Sequence, residues 1–118
     1  AARQRAVRRL VREAAGDADA WTVDVREGLP AAVLGGCARV AAADFVVIGL
    51  GLHRLLDREV GGESVLRIVR QAGAPVLAVD PEVGRLPQSA MVAVDFGAAS
   101  VAAARAALAL LGDRGTLY

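Results

Sequence analysis

Apolar positions recur at three- and four-residue spacing from residue 2 to 15, where Ala6, Val7, Leu10, Val11 and Ala14 form one stripe opposite the arginines. This spacing predicts an amphipathic helix, with Gly16 supplying a left-handed cap. The period then changes to two. Trp21, Val23 and Val25 alternate with Thr22 and Asp24, which predicts a strand near a sheet edge, with Trp21 anchoring it against a helix. Gly28-Leu29-Pro30 reads as a turn, and Pro30 suits the first position of a helix running to about Ala43. Val33, Leu34, Cys37, Val40 and Ala41 are its expected buried side. Phe45-Val46-Val47-Ile48 is a continuous apolar run, as in a parallel strand covered on both faces. A glycine-bearing segment leads into a helix from about Ser64 to Ala72, packed through Val65, Leu66, Ile68 and Val69. Pro75 opens another apolar strand, Val76 to Val79.

Asp80 to Ser89, with Pro81, Gly84 and Pro87, reads as a linker. Beyond it come an apolar strand from Met91 to Val94 ending at Asp95, an Ala-rich helix from about Ala98 to Leu111, a turn at Gly112–Gly115 and the start of a strand. Strands alternating with helices imply right-handed crossovers and a parallel sheet. The expected fold class is therefore α/β and Rossmann-like.

The bulk numbers bound this picture. A chain of 118 residues suffices for one core and not for two. Its 55% apolar content is high for a soluble domain, yet no run approaches the ~18 apolar residues of a membrane span, so buried strand rather than membrane is expected. The net charge of +1 makes no strong draw on nucleic acid or anionic lipid, and neither is an expected partner. Arg3, Arg5, Arg8, Arg9 and Arg12 crowd the first helix, either as a phosphate-binding patch or as its solvated face. Cys37 is the single cysteine; it excludes an internal disulfide, fits a reducing, cytoplasmic compartment, and is expected to be a buried structural thiol. The chain lacks an initial Met and stops at Leu117-Tyr118 in an apparent strand, so both ends are expected to be cuts.

The stretch after the buried strand, Ile48-Gly49-Leu50-Gly51-Leu52-His53-Arg54-Leu55-Leu56 and then Gly61-Gly62-Glu63-Ser64, carries the candidate chemistry. Open α/β sheets bind ligands beyond the carboxyl ends of their strands. Glycines there admit a phosphate to the backbone, and the next helix offers free amides; equally, glycines simply permit tight turns. Ala43-Asp44-Phe45-Val46-Val47-Ile48-Gly49, Leu55-Leu56, Gly62, Val65-Leu66-Arg67-Ile68-Val69-Arg70 and Ala74-Pro75-Val76-Leu77-Ala78-Val79 together resemble the carboxyl half of a universal stress protein domain. Met91-Val92-Ala93-Val94-Asp95 with Ser100 and the helix to Leu111 resembles the opening of the same domain type.

The resemblance implies a tandem arrangement: residues 1–80 the end of one domain, 81–89 a linker, and 90–118 the beginning of the next. It implies an open, parallel, five-stranded sheet of the adenine nucleotide alpha hydrolase kind, helices on both faces, permuted within the chain or completed by another segment. Expected partners are self-association or tandem-domain pairing, dimer-like, and an adenine nucleotide. The family's ATP-binding members resemble one another in a pattern of glycine, two residues, glycine, nine residues, glycine, then Ser or Thr. Gly49 and Gly62 match its first and third positions, but the second falls on Leu52 and the hydroxyl position on Glu63. Gly51 stands one residue early and Ser64 one late.

A leucine fills space where backbone should approach phosphate, and a carboxylate faces an anionic ligand. At ~4 Å and an effective dielectric near 20 that like-charge contact costs on the order of 4 kcal/mol, about three decades of affinity. Glu63 otherwise caps its helix through the dipole, or the register slips so that Gly51 and Ser64 serve ATP and Mg²⁺. The expectation is a degenerate site with no bound cofactor, and no catalytic residue: there is no HExxH, GxSxG or Walker pattern. By the resemblance Asp95 lies beside adenine and ribose; structurally it caps the following loop or helix. His53, Arg54 and Arg58 are either phosphate contacts or surface residues.

Overall fold

A computed structural model describes residues 2–16, 21–50 and 61–118 of the chain, with backbone only at 61–64. Helix α1, Ala2–Ala15, spans the predicted segment. Gly16 closes its last turn at φ +82°, donating its N–H to the Arg12 carbonyl at 3.0 Å. No α1 residue is buried. The helix is tethered through Arg3 Nη1 to Glu27 Oε1 at 3.4 Å and Gln4 Nε2 to the Val23 carbonyl at 3.2 Å.

The edge strand expected at Trp21–Val25 does not form. Residues 22–27 carry no regular structure, and Trp21 is 60% exposed rather than an anchor. Alternation prepares a segment for pairing, but a strand exists only when a neighbour supplies the ladder.

Helix α2, Pro30–Val40, begins at an extended Leu29 with Pro30 in its first turn. Its end is fixed by Ala43 N–H donating to the Ala38 carbonyl at 2.9 Å, around Ala42 at φ +48°. That is a Schellman-type stop with alanine in the left-handed position that glycine usually takes. The buried residues of α2 are Ala31, Gly35 and Ala38, a face different from the one expected. Val33, Leu34 and Cys37 are half-buried, Ala41 is exposed, and Val40 is 89% exposed. The cause lies in helix α3, Gly61–Ala72. A Cβ on Gly35 would stand 2.6 Å from the Gln71 carbonyl oxygen, so the helices meet through their small residues at a separation larger side chains would prevent.

Strand β1, Val46–Gly49, pairs in parallel with β2, Val76–Val79, from Val46↔Val76 to Gly49↔Val79. Val46 N–H to the Pro75 carbonyl, 2.9 Å, and Leu50 N–H to the Val79 carbonyl, 2.8 Å, extend the ladder. The core is Ala31, Ala38, Val46, Ile68 and Ala72, with Leu34, Ile48 and Val76 packed against it. Among the described side chains of α3, Ile68 and Ala72 are buried; Leu66 and Val69 of the expected stripe are exposed, and Val65 is half-buried. Side chains alternate across a sheet, so Val46, Ile48 and Val76 share the helix side while Val47, Leu77 and Val79 share the other. Among the described residues no helix covers that second face: Val47 is 62% exposed, where cover on both faces was expected, while Leu77 and Val79 are half-buried and line a cavity with connector residues 82–89.

Beyond the connector, β3, Ser89–Ala90, pairs in parallel with β4, Thr116–Leu117. Helix α4, Ala98–Leu111, and a 3-10 turn at Gly112–Arg114 lie between them. Backbone bonds from Thr116 N–H to the Gln88 carbonyl, 3.0 Å, and from Val92 N–H to the Tyr118 carbonyl, 2.9 Å, flank this short ladder. The pairing thus begins two residues before the expected strand, and residues 91–95 fall outside regular structure.

The parallel α/β character expected of the chain is present, but the five-stranded sheet is not. Among the described residues there are two separate two-stranded sheets, β1-β2 and β3-β4. One expected strand finds no neighbour, and no hydrogen-bonded ladder bridges the connector. Among the described residues no helix is long and apolar enough to cross a membrane.

Candidate functional site

The carboxyl ends of β1 and β2 are where a parallel sheet exposes unused backbone groups. A cavity of about 390 Å³ opens there, lined by Val47, Gly49, Leu50, Val79, Asp80, Pro81 and Val83. Gly49 sits at its rim, and a Cβ built on it would meet nothing within 4 Å. Packing among the described residues therefore does not demand glycine at this position. Gly61 and Gly62 open α3, so their amides belong to the first turn, whose N–H groups lack intrahelical acceptors. Glu63 and Ser64 lie in that same turn.

Gly51 and Leu52, with His53, Arg54 and Arg58, lie outside the described residues. Of the expected nucleotide site, the structure thus describes the strand end at Gly49 and the helix start at Gly62, joined by the segment that carries the displaced glycine.

Asp95 stands in the other unit and does not line this cavity. Its Oδ1 accepts the Gly97 N–H at 2.9 Å, an Asx turn that leads into α4. Phe96, inside the turn, has φ +64°. The Gly97 amide first, and the Ser100 hydroxyl second, hold the exposed Asp95 carboxyl below the usual aspartate range. The Ser100 hydroxyl, with one proton to share between neighbouring acceptors, lies 3.0 Å from the Gly97 carbonyl, to which it donates. This is the capping geometry weighed for Asp95.

Sequence reasoning passed over Asp80. It follows β2 directly, lines the cavity, and accepts the Glu82 N–H on Oδ1 at 3.0 Å. The available signal was its position, a carboxylate one residue beyond a parallel strand and immediately before Pro81. A carboxylate at this mouth repels a phosphate unless a cation intervenes, so Asp80 adds to the negative charge that Glu63 brings to α3. Among the described residues no group of three or more His, Cys, Asp or Glu gathers to hold a metal ion. Cys37 is half-buried in α2, less enclosed than a core thiol. No family model, curated protein or solved structure matches the chain.

Proposed function

We propose that the chain is a universal-stress-protein-like binding module of a stress response, acting through domain pairing, with a degenerate adenine-nucleotide site. The observation that supports it is the β1–α3–β2 arrangement. A parallel strand pair is joined through α3, with Gly49 at the end of one strand and Gly61-Gly62 at the start of the helix. This is the backbone frame on which α/β proteins seat phosphates. The degeneracy follows from Leu52 and Glu63 at the positions where phosphate-binding members carry glycine and a hydroxyl, and from Asp80 at the cavity mouth.

The test is a thermal melt of the chain with and without millimolar ATP and Mg²⁺. An unchanged, cooperative transition is the expected outcome. A rise of several degrees means selective binding to the folded state and replaces the degenerate reading with that of an ATP-binding member using Gly51 and Ser64.

A further inference from the structure

The net charge of +1 conceals a local imbalance. Arg3, Arg5, Arg8, Arg9 and Arg12 all precede the first acidic residue, Glu13, and all stand exposed on α1. Arg9 Nε lies 3.5 Å from Glu13 Oε1, and Arg3 Nη1 lies 3.4 Å from Glu27 Oε1. Both pairs are open to solvent, where ion pairs are weak. Arg5 and Arg8 form no ion pair among the described residues.

The helix sorts these charges. At about 100° per residue, Arg5, Arg8, Arg9 and Arg12 fall within an arc of about 100°, opposite the stripe of Ala6, Val7, Leu10, Val11 and Ala14. The ridge runs about 10 Å along the axis. A DNA strand presents a phosphate every ~3.4 Å of its own axis, so the ridge spans about three on one strand. Its opposition to the apolar stripe decides between two anionic partners. Seating that stripe on a bilayer would turn the arginines toward water, away from the headgroups. A phosphate backbone needs only the ridge.

We infer that the Arg5, Arg8, Arg9 and Arg12 ridge of α1 is a docking surface for the phosphate backbone of double-stranded DNA. Guanidinium groups suit phosphate because they can bind it through two parallel N–H bonds. No α1 residue is buried, so the helix is free to follow the major groove of B-DNA, which admits an α-helix where the narrow groove of duplex RNA does not. Contact is independent of sequence: the ridge carries no amide to read a base edge, and the adjacent Gln4 donates to the Val23 carbonyl. The inference stands apart from the nucleotide site, which α1 does not line.

The test is fluorescence anisotropy of a labelled, mixed-sequence DNA duplex titrated with the full chain and with Arg5→Gln/Arg8→Gln. Gln is close to Arg in helix propensity and both positions are exposed, so the variant keeps its helix. With three or four phosphates neutralised, affinity should fall roughly a hundredfold as salt rises from about 25 to 100 mM, and the Gln pair should flatten the slope of log K against log salt by about 1.8. Arg5→Lys/Arg8→Lys should keep most of the slope. Arg105→Gln/Arg114→Gln, on α4 and the turn after it, should keep all of it. No binding at the lowest salt overturns the inference, as does a slope that the Gln pair leaves unchanged. Tighter binding to a matched RNA duplex, or to phosphatidylserine vesicles, gives the ridge a different partner and overturns it equally.

Discussion

Replacing Gly35 with alanine sets two opposing effects against each other in a way the structure resolves. An alanine inside a helix is worth about 0.8–1.0 kcal/mol more than a glycine. Yet the new Cβ would lie 2.6 Å from the Gln71 carbonyl oxygen and 3.1 Å from its carbon. Both are backbone atoms that no rotamer change can move. Reaching an ordinary contact requires α2 and α3 to separate by roughly 0.8 Å, enough to forfeit a quarter to a half of the dispersion attraction across that seam. Overpacking of this kind costs about 1–3 kcal/mol, leaving a net loss on the order of 1–2 kcal/mol.

Gly36 is the matched control. It stands one residue along the same helix, and a Cβ there meets nothing within 4 Å. Gly36→Ala should therefore gain stability, by about 0.5–1 kcal/mol. The two variants should differ by about 2–3 kcal/mol, or roughly 10 °C in Tm for a chain of this length. Urea unfolding with an unchanged slope measures the difference. If Gly35→Ala proves as stable as Gly36→Ala, the close helix seam does not exist.

Three further expectations concern other parts of the molecule. Ala42→Gly should stabilise by up to about 1 kcal/mol, since it relieves a left-handed alanine while adding freedom to the unfolded chain; a lower urea midpoint contradicts this. Ile68→Ala, at 6% exposure, should cost about 2–4 kcal/mol, whereas Leu66→Ala two residues earlier should stay within about 0.5 kcal/mol in the single chain. Equal losses would mean that the buried face of α3 has been misassigned. The Asp95 carboxyl titrates below its ordinary value because the folded chain favours its charged form. Its stabilisation is therefore complete above the unfolded value of about 3.9 and is lost as pH falls through the lower folded value. A carboxyl-carbon NMR titration should show that depression and its partial reversal in Ser100→Ala; an Asp95 value at or above the ordinary one refutes it.

Much of the element order was legible because it depends on local chemistry. Gly16, Pro30 and Gly112 punctuate their helices as expected, and Val76–Val79 is a strand within its expected limits. What the pattern did not reveal was tertiary. The apolar bulk of α2 pointed to Val33, Leu34 and Val40, but the burial went to Ala31, Gly35 and Ala38, because closeness to α3 favoured small side chains over large ones. The alternation at Trp21–Val25 looked like a strand, yet pairing depends on a neighbour that no local pattern encodes. At the candidate site, Gly49 and the α3 start could be located from strand and glycine spacing. Asp80 offered the same kind of signal, its place one residue beyond the Val76–Val79 strand, but reading Asp80 to Ser89 as a linker hid it.

The two sheets share no strand, and that separation determines what a melting curve of this chain can report. Cooperativity travels through shared ladders and shared cores, and the core around Ile68 and Ala72 draws on α2, α3, β1, β2 and the residues flanking them, with no α4 residue among its members. Amide exchange should accordingly resolve two opening units with distinct protection, one spanning β1 and β2, the other β3 and β4. A ligand seated at the carboxyl ends of β1 and β2 would slow exchange in the first unit and leave the amides of the Ser89–Ala90 and Thr116–Leu117 ladder as they were.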